Sequence, residues 1–499
     1  MASHFTLTLV SAALLPLIGL AAERRDSSPP NIVLIVCDDL GYGDLACFGD
    51  KALHTPNLDR LAAEGVRLTN TYAAHPNCSP SRTALMTGRT PTRTGVRDWI
   101  PRGSPMHMRR SEITIATLLK EAGYATCIVG KWHMNGRFND SAQPQPGDHG
   151  FDYWFATQNN ALPNHHNPYN FIRNGQPVGR VEGYAAHVVA DEAIGWLSEK
   201  RDTAKPFFLY VAFHEPHEPI ATDPQYVNRY PSTDPSYSHF NGNITQMDDA
   251  VGRLMRALDE RGLRENTFVF FTSDNGPAIT RMHPHGSTGG LRDKKGSLYE
   301  GGVRVPGIVR WPGVTTPGSI SDEPVSGVDF LPTACAIAGI EPPHHRTLDG
   351  ASFLPVLEGK PVLRTTPLYW HFNRAFGDPK VSVRVGDWKI LATLDKKPTG
   401  AQAIDASSPN EQDEREFKEA EPTGFALYNL RTDVAETTNL AASEPAKLAE
   451  LKALLLAKYH EVRDEAPIWP VWTFNEDDQD GRDAIWGDYV KNRPQAQKP

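Results

Sequence analysis

Four short apolar runs, each cut off by a cluster of charged or amide side chains, constrain this chain more than any other feature. They are Asn31-Ile-Val-Leu-Ile-Val-Cys37, Ala125-Thr-Cys-Ile-Val129, Pro206-Phe-Phe-Leu-Tyr-Val-Ala-Phe213 and Thr267-Phe-Val-Phe-Phe271. Runs this short, rich in Val, Ile and aromatic residues, read as parallel strands buried on both faces. Helical segments alternate with them. Thr55-Pro56 caps and starts a helix that stops at Gly65, and Ser111 caps one that runs to Gly123. His187 to Lys200 and Thr245 to Arg261 carry helical spacing of apolar residues. The alternation predicts an α/β fold with a doubly wound sheet covered on both faces.

The four runs lead into Asp38-Asp39, Gly130-Lys131-Trp132-His133, His214-Glu215-Pro216-His217 and Ser273-Asp274-Asn275-Gly276. Ligands of open α/β sheets bind just beyond the carboxyl ends of strands. Any one cluster could merely cap the next helix; four with complementary charges point to one site. Asp38, Asp39, Asp274 and Asn275 offer hard oxygen atoms, which suit Ca²⁺ or Mg²⁺ rather than zinc. Three carboxylates held together repel unless a cation joins them. Lys131, His133, His217 and Lys295 supply donors and cations for an oxyanion. Metal and cations around one anionic group are what hydrolysis of a sulfate or phosphate ester needs.

Five cysteines, Cys37, Cys47, Cys78, Cys127 and Cys335, are too few and too scattered for a disulfide framework, and none has zinc-site spacing. Cys78 has the most informative setting, Asn77-Cys78-Ser79-Pro80-Ser81-Arg82, followed by Thr-Ala-Leu-Met-Thr-Gly88-Arg89. Ser79 can cap a short helix with Pro80 in its first turn and Gly88 at its end. Cys78 then sits just before a helix N-terminus, which favours anions, with Arg82 four residues on. Taken alone, this cysteine is either a low-pKa thiolate or a buried small side chain.

A chain of 499 residues with 39% hydrophobic and 22% charged residues suits a large soluble α/β unit plus a smaller one. The net charge of -9 gives no electrostatic drive toward nucleic acid. An apolar stretch from Leu7 to Leu20, followed by Ala21-Ala22, reads as a secretory signal peptide over residues 1–22, although no Lys or Arg precedes it. The alternative, an uncleaved anchor, would rest on a short apolar run, and no later stretch is apolar enough to span a bilayer. Export to the periplasm or the medium follows. Residues 23–30 form a flexible lead-in. After about residue 360 the strand-like runs become shorter and more amphipathic: Leu368–Phe372, Val381–Leu391 and Phe425–Leu430. A polar stretch from Ala401 to Gly424 reads as a surface excursion, and Pro445 to Arg463 as an amphipathic helix. The expected division is therefore 23–360 for the main unit and 361–499 for a small α+β unit.

Cys78-Ser-Pro-Ser-Arg82 with Thr87-Gly-Arg89 resembles the Cys-x-Pro-Ser-Arg signature of the type I sulfatases, members of the alkaline phosphatase superfamily. Asp38-Asp39-Leu-Gly-Tyr-Gly-Asp44 is similar to that family's first metal motif, and Gly130–His133 to its second block. Lys295-Gly-Ser-Leu-Tyr-Glu300-Gly-Gly-Val-Arg304-Val-Pro306 resembles its lysine block. Leu427-Tyr-Asn-Leu430 with Asp433, Glu436 and Asn439-Leu440 resembles its C-terminal segment. The likeness runs from Asn31 to about Leu440 and is strongest to the branch holding arylsulfatase A and N-acetylgalactosamine-6-sulfatase.

The resemblance implies a large mixed sheet sandwiched by helices and a small C-terminal α+β domain with a short antiparallel sheet. It implies one Ca²⁺ per chain, held by Asp38, Asp39, Asp274, Asn275 and residue 78. A formylglycine-generating or equivalent maturation enzyme would convert Cys78 to Cα-formylglycine (3-oxoalanine). One hydroxyl of the aldehyde's hydrate would attack sulfur, and the other would later expel sulfate by re-forming the carbonyl. Arg82 would hold the diol and balance the metal site's charge, and Lys131 and Lys295 would clamp the sulfate oxygens. His217 would protonate the leaving oxygen, and His133 would take a proton in the second step. The substrate would be a sulfated small molecule or, by analogy, a sulfated saccharide.

His214 reads as a supporting or surface residue, and Lys294 as solvated. The polar loop Asn159–Asn167 stands at the right distance to border the pocket, or is simply solvated. Trp311 and Trp388 read as core residues. Asn139-Asp-Ser and Asn243-Ile-Thr are glycosylation sequons. Two rival functions remain: a phosphonate or phosphodiester hydrolase of the same superfamily, and a non-catalytic binder of sulfated glycans. The second requires a missing site residue, and none is missing.

Overall fold

Alternate residues of the first strand, Asn31–Asp38, point into two separate cores. Val33, Ile35 and Cys37 enter one; Ile32, Leu34 and Val36 enter the other. This is the two-residue period of a strand with no solvent face. The computed structural model describes residues 29–280, 283–396 and 411–472. The expected signal segment and part of the 401–424 stretch lie outside the described residues.

The first core is closed by helices Pro56–Glu64, Ala185–Gly195 and Pro235–Glu260. The second is closed by Ile115–Glu121, Phe330–Ala338 and the inner side of Cys78–Thr87, through Leu85 and Met86. Between them lies an 11-stranded sheet. Its centre is the parallel run Thr267–Ser273, Asn31–Asp38, Phe207–Pro216, Ala125–Lys131 and Tyr153–Thr157. Arg304–Arg310 joins antiparallel beside Thr267–Ser273, and Ile172–Arg173 antiparallel beside Tyr153–Thr157, so the sheet is mixed. The four apolar runs are adjacent in the central sheet, and their carboxyl ends lie at one edge.

A second sheet of 4 antiparallel strands, Leu368–His371, Val381–Val385, Trp388–Leu394 and Pro422–Asn429, follows. Helix Pro445–Glu465 lays Leu451, Leu455, Tyr459 and Val462 on Val381, Val383 and Ile390. Trp311 packs edge-on against Phe268, and Trp388 packs against the C-terminal core, as expected of core residues.

Several boundaries differ from the sequence reading. The helix expected from Ser111 starts at Ile115, because Thr114 accepts the N–H of Thr117 and is the cap. The helix expected from Thr245 begins at Pro235, capped by Asp234; Tyr237, Phe240 and Ile244 extend its apolar stripe into the first core, but polar residues between them, such as the buried Asn241 and Asn243, mask it in the sequence. The segment to Lys200 ends in a π-helical turn, Trp196–Lys200. The run Val381–Leu391 is two strands, split where Gly386 takes a φ of 57°. Within the supposed surface excursion, Glu411–Glu419 is a helix that buries Phe417 against the His371 ring. The sequon residue Asn243 is fully buried, its amide donating to the Ala221 carbonyl, so that sequon is closed to glycosylation in the folded chain.

Candidate active site

Gly130 shows why the site's backbone needs its residue types. It has a φ of +102°, and a Cβ there would stand 1.9 Å from the Ala212 carbonyl oxygen of the neighbouring strand. Only glycine lets the two strands pair this closely and then turn out Lys131 and His133. Beyond the strand ends the chain adopts left-handed backbone at two non-glycine residues, Asp39 (φ 65°) and His133 (φ 53°). Strain of this kind collects where side-chain aim matters more than backbone comfort.

The residues singled out in the sequence meet around Cys78. Asp38 is fully buried, and its Oδ2 accepts from Lys131 Nζ at 2.5 Å. Asp39 Oδ1 accepts from Lys295 Nζ at 2.6 Å and from the Asn275 amide at 2.7 Å. Arg82, also fully buried, donates from Nε to Asp274 Oδ2 at 2.8 Å and from Nη1 to the Lys131 carbonyl at 3.1 Å. Its Nη2 stands 3.9 Å from Asp38 Oδ1. Arg82 is thus engaged mainly with the acidic half of the site. His217 Nε2 lies 3.6 Å from Asp39 Oδ2, while its Nδ1 bonds the Glu218 carbonyl.

Cys78 is the first residue of the helix Cys78–Thr87, not the residue before it, and Asn77 is the N-cap residue. Ser79 does not cap; its hydroxyl accepts from the Ile100 N–H at 3.0 Å. Gly88 ends the helix in left-handed conformation, as expected. Burial raises the Cys78 thiol above its ordinary pKa, with Lys131 and Lys295 pulling the other way. Of the two readings of the cysteine taken alone, this burial favours the buried small side chain over the low-pKa thiolate.

Burial lowers His133 well below the usual imidazole range, and the Lys131 charge adds to this. His133 Nε2 bonds the Ile100 carbonyl at 3.0 Å, so that nitrogen carries the proton, and Nδ1, buried and unpartnered, is free to accept one. His217 is lowered by burial too, against the pull of Asp39 and Asp38.

The oxygen set fits a hard divalent cation. The side-chain oxygens Asp38 Oδ1 and Asn275 Oδ1 are buried without a hydrogen-bond partner. Burial and then the Asp38 charge push Asp274 up to about 7, despite Arg82. Clustered carboxylates that resist ionising together are relieved by a cation, and an all-oxygen set favours Ca²⁺ or Mg²⁺.

His214 is buried, bonding Thr157 Oγ1 at 2.8 Å with its ring edge-on to Phe171, so it supports the strand end and is not a surface residue. Lys294 is half-buried, and its ammonium donates to the Ile279 carbonyl, so it is not simply solvated. Within the 159–167 loop, His165 is buried beside Glu215, with Nδ1 3.7 Å from Oε1. Sequence reasoning named Asp44 only as the end of the first acidic motif and gave it no role; its carboxylate accepts the N–H groups of Gly41 and Ser287, each at 2.7 Å, and so pins the first acidic loop. It missed Asp98, which accepts from the Asn77 amide at 2.9 Å beside the cysteine. Asp44 had a signal in its acidic motif; Asp98 had none.

A carboxylate cage backed by paired cations, at the strand ends of an α/β sheet, defines the class as hydrolases of anionic esters. The chain belongs to the sulfatase family, which matches it over residues 30–340, and it is an enzyme that hydrolyses sulfate esters. A second family, N-sulphoglucosamine sulphohydrolase, C-terminal, matches residues 289–412. Among its relatives, N-acetylgalactosamine-6-sulfatase of Canis lupus familiaris is 35% identical over 389 residues, covering 72% of this chain and 71% of that protein. Arylsulfatase A of Homo sapiens is 34% identical over 485 residues, covering 89% and 90%. The crystal structure of Ps i-CgsB in complex with k-i-k-neocarrahexaose superimposes with a TM-score of 0.75 at 27% identity, covering 93% of this chain and 99% of that one.

Proposed function

We propose that this enzyme removes sulfate from a sulfated carbohydrate, using an aldehyde made from Cys78 beside one Ca²⁺. The observation that carries the reading is the pair of contacts Lys131–Asp38 and Lys295–Asp39 flanking a buried cysteine, at 2.5 and 2.6 Å. The saccharide is supported by the names of the relatives, an N-acetylgalactosamine-6-sulfatase and a protein solved with k-i-k-neocarrahexaose.

In this reading Asp38, Asp39, Asp274, Asn275 and residue 78 hold the ion. Calcium, when bound, supplies positive charge against the sulfate oxygens, and the aldehyde supplies a hydrated carbonyl as nucleophile. Arg82, one turn along the nucleophile's own helix, fixes Asp274 and would hold the diol. Lys131 and Lys295 bring two cations to the oxygens that gain charge. His217 Nε2 donates the proton to the leaving alcohol, its ring held by the Nδ1 bond to the Glu218 carbonyl. His133 accepts a proton at Nδ1 in the step that releases sulfate. The catalytic unit is 23–360 and the C-terminal unit 361–499; the chain is exported and matured by a formylglycine-generating or equivalent enzyme.

The test is sulfate release from a panel of sulfated mono- and oligosaccharides, with the product position read by NMR. Cys78→Ala should lower turnover by at least ~10³-fold, and mass spectrometry of the active wild-type peptide should show the Cys78 sulfur replaced by oxygen with loss of two hydrogens, as an aldehyde requires and a serine would not show. Wild-type hydrolysis of phosphodiester analogues but of no sulfate ester would overturn the reading.

A further inference from the structure

The loop joining strands Leu368–His371 and Val381–Val385 reaches from the C-terminal sheet to the rim of the active site. Phe372 packs its ring 4.7 Å from that of His75, three residues before the cysteine. Phe376, at the loop's far end, donates its N–H to the Gly296 carbonyl at 2.8 Å, and Gly296 in turn donates to the Pro76 carbonyl at 2.9 Å. Gly296 directly follows Lys295. A Cβ on Gly296 would stand 2.2 Å from Cδ2 of the Phe376 ring, so the ring rests on the glycine's backbone. The rest of that ring is open: Phe376 is 58% exposed. The loop beneath it is fixed, because the Lys380 ammonium donates to the carbonyls of Ala375 and Gly377 and Ala375 is buried.

A single exposed aromatic residue is ordinary on a protein surface. An aromatic face held rigidly one residue from a cation that faces the reacting anion is a place for the ring that carries the anion. A pyranose has an apolar face of C–H groups that stacks on an aromatic ring, and binding pockets use such faces to fix orientation. We propose that Phe376 is the specificity-determining platform on which the sugar ring bearing the scissile sulfate stacks. The proposal rests on the sulfated-saccharide reading above. It assigns part of substrate recognition to the C-terminal unit.

The experiment measures kcat and KM for sulfate release from a sulfated N-acetylhexosamine by the mature wild type, Phe376→Ala, Phe376→Leu and Phe376→Trp. Alanine should raise KM roughly three- to tenfold with kcat within about twofold, the range of one aromatic stacking contact. Tryptophan should restore KM, and leucine, which has bulk but no π-face, should not. Thermal midpoints should agree, because the side chain is mostly exposed. An unchanged KM in the alanine variant, or leucine matching tryptophan, would overturn the platform while leaving the sulfatase reading intact. Absence of sulfate release by the mature wild type from every saccharide would overturn both.

Discussion

Lys389→Met should destabilise the protein sharply at pH 8 and much less at pH 5. Lys389 is fully buried, with its ammonium 2.9 Å from Glu300 Oε1 and 3.0 Å from Glu436 Oε1. Glu300 Oε2 accepts from the Tyr72 hydroxyl at 2.6 Å, and Glu436 Oε2 accepts the Glu300 N–H at 2.6 Å. One lysine thus joins the C-terminal sheet to the segment that carries Lys295. Breaking a buried ion pair by deleting one partner costs about 3–5 kcal/mol. Here two carboxylates lose the same cation, so the upper end of that range is expected.

The pH dependence follows from the same geometry. In the wild type, Lys389, Arg384 and Arg304 overcome burial and hold Glu300 below its ordinary range, while burial with the Glu300 charge raises Glu436 against Lys389. Glu300 therefore adds stability above its unfolded pKa that is lost in acid. Glu436 does the reverse: the folded state keeps a proton the unfolded chain releases, so stability falls as pH rises through that window. Without Lys389 both carboxyls are raised, and the mutant gains the unfavourable slope for Glu300 as well. That slope is about 1.4 kcal/mol per pH unit for one proton. Urea unfolding of both proteins from pH 5 to 8 measures it. A gap between them that is flat with pH, or below about 1 kcal/mol at pH 8, would refute the reasoning.

Two further outcomes follow from the site. Adding Ca²⁺ at about a hundred times its dissociation constant should stabilise the wild type by roughly 2.7 kcal/mol, a gain abolished by chelation and by Asp274→Ala; calorimetry without effect in the wild type would count against a cation held there. Gly130→Ala should cost about 3 kcal/mol or more in urea unfolding, since the new methyl collides with the Ala212 carbonyl at 1.9 Å and the left-handed backbone disfavours it; a loss under about 1 kcal/mol would mean the two strands can part.

What the sequence made legible, and what it hid, divides along one physical line. The four central strands were readable because a strand buried on both faces must be apolar throughout, and the polar residue that ends it is where burial stops. The same rule exposed Asp38, Asp39, Lys131, His133, His217, Asp274 and Asn275, each standing at or just beyond such an end, and the geometry brings them together. Lys295 and Cys78 lie off the strand ends and were legible only through their motif spacing. What spacing could not carry was contact between distant segments. The turns Pro235–Thr245 set Tyr237, Phe240 and Ile244 into the first core among polar residues such as Asn243, which is buried with its amide on the Ala221 carbonyl, and that mixture masks the helix. Phe376 is 80 residues beyond Gly296 and belongs to the other sheet, and no periodicity in the chain marks it as a neighbour of Lys295. Most of the charged and amide residues of the site are set by the strand ends, which one segment can reveal. Residues that choose the substrate are set by how two units meet, and that meeting depends on Glu300, Lys389 and Glu436 sharing one buried charge cluster.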